Sequence, residues 1–182
     1  LEFGCNLENF FPISSIKKDS KFFDILFIGA QSLRKGLHYL IEAFHQFKHP
    51  YKRLHIVGSH TDDKNFFINK IKHERIFIYG HVNQLKLNDI INKSHVFVLP
   101  SIEEGMAIVT LQAAASGCPL IVTENTGAAE FVNERKCGFV VPIRNSKAIA
   151  DKLNLLADDK QLLNKFSNNA LKFAGNNTWD NY

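Results

Sequence analysis

Six short apolar runs punctuate the chain: "FFDILFIG" (22–29), "RLHIVG" (53–58), "IFIYG" (76–80), "HVFVLP" (95–100), "PLIVT" (119–123) and "GFVVP" (138–142). They are apolar at neighbouring positions rather than alternating, and most end on Gly or Pro, as strands do when helices cover both faces of a parallel sheet. Helix-patterned stretches separate them, at 36–48, 62–73, 83–93, 105–117 and 128–135. A β-α order repeated in this way predicts an α/β, doubly wound, Rossmann-like six-stranded parallel sheet. Right-handed crossovers then place a ligand crevice at the carboxyl ends of the strands.

After the sixth run, residues 146–174 read as two amphipathic helices, with Asp158 and Asp159 capping the second. Residues 1–20 lack such a pattern and are expected to be a connecting segment, followed by one domain over 21–174 and a departing segment over 175–182. The sole Met is Met106 and the chain opens without a basic-then-apolar leader, so it is expected to be a piece of something longer. Gln112, Ser116, Gly117 and Pro119 interrupt the longest apolar stretch below the roughly 18 residues that span a bilayer. The net charge of +4 is scattered, without the basic run that marks a nucleic-acid tail. A small anion suits it better than a polyanion. Three cysteines, Cys5, Cys118 and Cys137, fit neither a disulfide framework nor a zinc spacing, which points to a reducing compartment, the cytoplasm.

A doubly wound sheet does not fix a function, so the strand ends must be read individually. A dinucleotide site wants G-x-G-x-x-G after the first strand, and a P-loop wants G-x-x-x-x-G-K-[ST]; the chain has neither. Asp62-Asp63 and Asp158-Asp159 look like helix caps rather than Mg²⁺ ligands, so no metal or other cofactor is expected. The strand ends carry "IGAQSLRKG" with Gly29, Arg34, Lys35 and Gly36, then "VGSH" with Gly58, Ser59 and His60, "YGHV" with His81, "LPSIEEGMA" and "TENTGAAE" with Gly127. Small residues and fixed charges gather on one rim. The amide of Gln112 stands out in the apolar run behind Glu103 and Glu104.

Taken in order, "FIGAQSLRKGLHYLIEAF", "LHIVGS", "IFIYGHV", "VFVLPSIEEGMAIVTLQAAASGCPLIVTENTGAAEFV" and "CGFVVP" resemble the nucleotide-sugar-binding domain of family-4-type glycosyltransferases, the C-terminal half of a GT-B fold. The similarity runs from about residue 4 to the end; "GCNLENFFP" resembles the linker from the amino-terminal acceptor domain, and "NTWDNY" the segment leading back to it. The resemblance implies a retaining enzyme that takes a sugar from a nucleotide-diphosphate donor. Its glycan or lipid-linked acceptor would be held by the missing N-terminal domain, with peripheral membrane contact an option for the full-length protein.

Breaking the bond from the anomeric carbon to the diphosphate leaves negative charge on phosphate, which the site must hold. A helix starting near Gly105 offers backbone N–H groups and its positive dipole end, through Gly105, Met106, Ala107 and Ile108. Lys35 adds a point charge and Arg34 a forked one, and fixed cations then replace a metal. With Glu104 they form the expected catalytic group. Eight helical residues from Glu104 to Gln112 would span roughly 12 Å, enough to bracket a diphosphate. The resemblance implies that Glu104 meets the hexose, Gln112 the ribose, and the His81 and Val82 backbone the nucleobase; Gly29, Gly58 and Ser59 complete the donor-binding set. Two positions depart from the family: Gln112 replaces a Glu, and Ala30 stands where an Arg often lies beside the diphosphate. They motivate an alternative, a non-catalytic nucleotide- or glycan-binding relative. A GT-B epimerase is a third class, as is a phosphorylase, for which no lysine-linked pyridoxal phosphate site is found.

Overall fold

All strands pair in parallel, in the order β3-β2-β1-β4-β5-β6. The computed structural model describes residues 9–61, 66–67 and 71–176, with side chains as far as Phe173. Its elements are β1 (Phe23–Ile28), α1 (Leu37–Gln46), β2 (Lys52–Val57), β3 (Ile76–Gly80), α2 (Gln84–Lys93) and β4 (Val96–Leu99). There follow α3 (Ile108–Ala115), β5 (Leu120–Thr123), α4 (Ala129–Arg135), β6 (Gly138–Val141), α5 (Ser146–Asp158) and α6 (Lys160–Asn176). The chain winds outward from β1 to β3, then returns to the other side of β1 as β4. This reversal opens a crevice above the carboxyl ends of β1 and β4, where neighbouring connections leave in opposite directions.

Strand period 2 divides the core in two. Leu26, Ile28, Val57, Phe97 and Leu99 face α2, α3, α4 and α6. Ile25, Phe27, Leu54, Ile56, Val96 and Val98 face α1 and α5. Burial on both faces is why these strands read as unbroken apolar runs. Of the two edge strands β3 is the more open: Phe77 and Ile78 are each 39% exposed, whereas β6 is half-buried to buried throughout.

Other differences from the sequence reading are local. The helix expected over 105–117 starts only at Ile108 and ends at Ala115. The expected helix over 62–73 lies largely outside the described residues, within which Phe66 and Phe67 are helical and Phe67 is buried. Asp158 ends α5, whereas Asp159 caps α6, accepting the Leu162 N–H at 2.9 Å. α6 runs to Asn176, two residues beyond the expected domain end. The described part of the connecting segment is strapped to α2: Phe10 is buried, Phe11 O accepts from the Asn88 and Asn92 amides, and the Ile13 N–H donates to Asn92 Oδ1 at 2.8 Å.

A polar network hidden in the apolar runs ties the amino-terminal half of the sheet together. Asp24 of β1 is 2% exposed and takes both arms of the Arg53 guanidinium, while His55 Nε2 lies 2.8 Å from its carboxylate and His55 Nδ1 2.8 Å from the Tyr79 hydroxyl. Burial works to raise the Asp24 pKa, but the hydrogen bonds from His55 and Arg53 outweigh it and hold the carboxyl below its ordinary value. His95 Nδ1 accepts the Asp24 N–H at 3.0 Å, so it carries no proton, and its 3.7 Å approach to Asp24 Oδ2 is not an ion pair. Burial pushes the His95 pKa down from 6.5 to about 4. A depressed histidine stabilises the fold fully above the unfolded value and loses that contribution as the pH falls towards the folded one. Denaturant midpoints should therefore report a loss of about 3 kcal/mol from His95 between pH 6.5 and 4, and His95→Asn should flatten that part of the profile.

Candidate functional site

The connections after β1 and β4 are pressed together at the switch point. Gly36 has φ +67°, and a Cβ there would stand 1.9 Å from Pro100 O. Only glycine allows both the left-handed backbone and this approach. The Ile102 N–H donates to Arg34 O at 2.9 Å, so the backbones of the two loops are hydrogen-bonded close to where the Arg34, Lys35 and Glu104 side chains leave them. Glu104 is fixed from a third side: its N–H donates to Asn125 O at 3.0 Å, and its O accepts the Gly127 N–H at 3.1 Å. A Cβ on Gly127 would meet Met106 N at 3.0 Å and Gly105 C at 3.1 Å. Gly127 therefore makes room for the Glu104–Met106 backbone.

This bracing brings the three expected catalytic side chains to one point. Glu104 Oε2 receives the Lys35 ammonium in a close hydrogen-bonded ion pair, and Arg34 NH1 at 3.3 Å. The Lys35 and Glu104 side chains are each 15% exposed, whereas that of Arg34 is 57% exposed and also donates to Glu103 O at 2.9 Å. Glu103 itself is exposed. A partly buried pair of this kind is screened less than the surface pairs worth about 0–1 kcal/mol. Two cations share one carboxylate, leaving ammonium and guanidinium donors for a further anion.

The expected donor-binding residues line the same rim. Gly29 follows β1 and donates its N–H to Val57 O at 2.9 Å; Gly58 follows β2 and donates to Gly80 O at 2.8 Å. Ser59 O accepts the Gln31 N–H at 2.9 Å. His81 and Val82 form the turn between β3 and α2, His81 exposed and Val82 packed partly against the core. Gly105 and Met106 belong to the loop before α3, Ala107 is its N-cap and exposed Ile108 its first residue. Ala107 has no side-chain oxygen with which to cap the first N–H groups of α3. Gln112 is half-buried in the second turn of α3.

The helical spacing drawn from Glu104 to Gln112 does not hold. Residues 104–107 are loop, held out of the helix by the contacts of Glu104 with Asn125 and Gly127. Only the four steps from Ile108 to Gln112 are helical, about 6 Å of rise. Sequence reasoning also missed Gln31. Fully buried, it donates from Nε2 to Gly58 O at 3.1 Å, and its O accepts from Thr61 Oγ1 at 2.8 Å. It stitches the Lys35 loop to the β2 connection. The signal was a single amide in "IGAQSL", which has meaning only once the loop across from it is known. Three cavities, of about 260, 350 and 210 Å³, lie elsewhere, lined by residues such as His49 and Lys160, Pro50 and Asn154, and Tyr79 and Lys93. None of these three is lined by Arg34, Lys35 or Glu104.

Residues 9–173 match the family model described as glycosyl transferases group 1. The chain belongs to this family. A glycosyltransferase of Methanocaldococcus jannaschii, itself uncharacterized, is 28% identical over 191 residues, covering 99% of this chain and 48% of the relative. The capsular polysaccharide biosynthesis glycosyltransferase CapM of Staphylococcus aureus is 27% identical, with 95% and 48% covered. This group 1 chain thus spans about half the length of the curated relatives it matches. Among solved structures, the C-terminal domain of the group 1 protein LpcC from Francisella tularensis superposes with a TM-score of 0.83 at 22% identity, covering 94% of this chain and 97% of that one. HepE of Anabaena gives 0.79 at 21% identity, with 87% and 45% covered. At such identities the likeness concerns the fold, which is the Rossmann-like half of GT-B glycosyltransferases. No helix among the described residues is long and apolar enough to cross a membrane.

Gly36→Ala tests the contact that holds the two loops together. The positive φ and the collision with Pro100 O should together cost at least about 2 kcal/mol in denaturant unfolding, more than an alanine at an ordinary loop glycine.

Proposed function

We propose that the chain is the donor-binding half of a retaining glycosyltransferase that moves a sugar from a nucleotide-diphosphate donor to a glycan or lipid-linked acceptor. The observation that carries this reading is the meeting of Lys35, Arg34 and Glu104 beside the start of α3, at the switch point of a parallel sheet. Support comes from HepE, a fold neighbour whose structure was solved in complex with UDP-glucose, and from CapM, whose name assigns it to capsular polysaccharide biosynthesis.

The diphosphate sits over Lys35, Arg34 and the first N–H groups of α3, with the hexose towards Glu104 and the ribose towards Gln112. When the bond from the anomeric carbon to the phosphate oxygen breaks, its electron pair stays on that oxygen. The cations and the helix end stabilise that charge most as it grows, which is what lowers a barrier. The acceptor hydroxyl attacks from the leaving-group face, and its proton passes to the departing phosphate. Positive charge comes from side chains rather than a metal, with Arg34 standing in for the charge that Ala30 does not supply. The acceptor and part of the machinery belong to a further domain, so these 182 residues bind donor but transfer little sugar. The full-length enzyme works in the cytoplasm, with peripheral membrane contact where its acceptor is lipid-linked. The neutral Ala30 and Gln112 favour one second reading, a non-catalytic nucleotide- or glycan-binding module. Transfer by the full-length protein, lost on Lys35→Ala, decides between them.

Calorimetric titration with UDP, GDP, ADP and their sugars should find one base that binds, unaffected by EDTA. A charge-assisted contact is worth about 1.5–3 kcal/mol, so Lys35→Ala should weaken that binding about ten- to a hundredfold. Absence of binding to every nucleotide at millimolar concentration would overturn the reading. Gln112→Glu converts a neutral acceptor to a charged one and should tighten the nucleotide sugar about fivefold.

A further inference from the structure

The carboxylate of Glu104 occupies the same ammonium and guanidinium that the donor reading assigns to phosphate. Its backbone is held on both sides, by Asn125 O at 3.0 Å and the Gly127 N–H at 3.1 Å, and Thr126 forms a parallel bridge with it. The Gly127 N–H also lies 3.2 Å from Gly105 O, which ties the next residue of the loop to the same point. A diphosphate arriving at Lys35 therefore meets a carboxylate that cannot retreat with its backbone.

We propose that Glu104 is the counter-ion of the phosphate-binding cations and thereby makes the site prefer a nucleotide sugar to the bare nucleoside diphosphate. The inference rests on the donor-site reading and deepens it. Lys35 has three N–H donors and can hold Glu104 and a phosphate oxygen together, but the two anions then share one ammonium and repel each other. A bare diphosphate, ionised near neutral pH, presents acceptor oxygens to Glu104 and offers it nothing in return for the cation it gives up. A nucleotide sugar extends past the second phosphate with hydroxyl groups, whose O–H donors hydrogen-bond the carboxylate. The donor compensates the partial loss of Lys35 and Arg34; the product does not. Selectivity is the difference between these two cases, and it favours departure of the nucleoside diphosphate once the sugar has gone.

The test uses this 182-residue chain, UDP and UDP-glucose, with the guanosine and adenosine pairs in parallel, and the variants Glu104→Gln and Glu103→Gln. Glu103 is the adjacent exposed carboxylate and reports the effect of removing a negative charge from the neighbourhood alone. Glu104→Gln should tighten the nucleoside diphosphate about three- to tenfold while leaving the nucleotide sugar unchanged or weaker, so that the preference between them shrinks. Glu103→Gln should move both ligands alike, by less than about twofold. Melting curves establish that each variant is folded, and Glu104→Ala, which also removes the carboxylate, should repeat the tighter diphosphate binding. The inference is overturned if Glu104→Gln fails to tighten the diphosphate, if it tightens both ligands equally, or if Glu103→Gln reproduces its effect. Failure of the wild-type chain to bind any nucleotide would instead remove the donor-site reading, and this inference with it.

Discussion

Contact between two backbones governs the functional end of this molecule. Where Gly36 lies against Pro100 O, the connection leaving β1 is pinned to the one leaving β4, and the Ile102 N–H to Arg34 O bond continues the seam. Lys35 and Glu104 are 69 residues apart in sequence and adjacent in space because of it. A side chain at position 36 would push the loops apart and separate the cation from the carboxylate. In the proposed site the glycine thus sets the position of the charged groups without itself touching the donor. Gln31 serves the same end from the other side, binding the Lys35 loop to the β2 connection through buried hydrogen bonds.

Electrostatics underlie the proposal that the rim takes a diphosphate. Lys35 and Glu104 are mostly withdrawn from water and less screened than surface charges, while Arg34 reaches the same carboxylate from solvent. The first turn of α3 adds N–H groups that Ala107 cannot cap. At the opposite end of the strands, the Asp24 network uses similar residue types for another purpose. Its carboxylate is buried and bound by Arg53 and His55, so its charges are spent on holding β1, β2 and β3 together.

The fold was legible because each interior strand is buried on both faces, which writes it into the sequence as an apolar run with its own stop. β3 was found by the same signal even though its outer residues are exposed. Lys35, Glu104 and Gly127 stood out as charges or glycines at strand ends. Legibility failed where an outcome depends on a distant partner. Residues 105–107 read as helix, yet Glu104 is drawn to Asn125 and Gly127 and the helix starts later. Nothing in "FFDILFIG" shows what Asp24 pairs with, because Arg53, His55 and Tyr79 lie 29 to 55 residues further on. No local pattern distinguishes a paired buried carboxylate from an exposed one.

The central claim is that the Lys35 and Glu104 junction beside α3 forms the floor of a diphosphate site. A crystal structure of the chain with a nucleoside diphosphate tests it most directly. The diphosphate should lie within hydrogen-bond distance of Lys35 Nζ and of the first N–H groups of α3. A nucleotide bound elsewhere, with the Lys35 ammonium untouched, would contradict it.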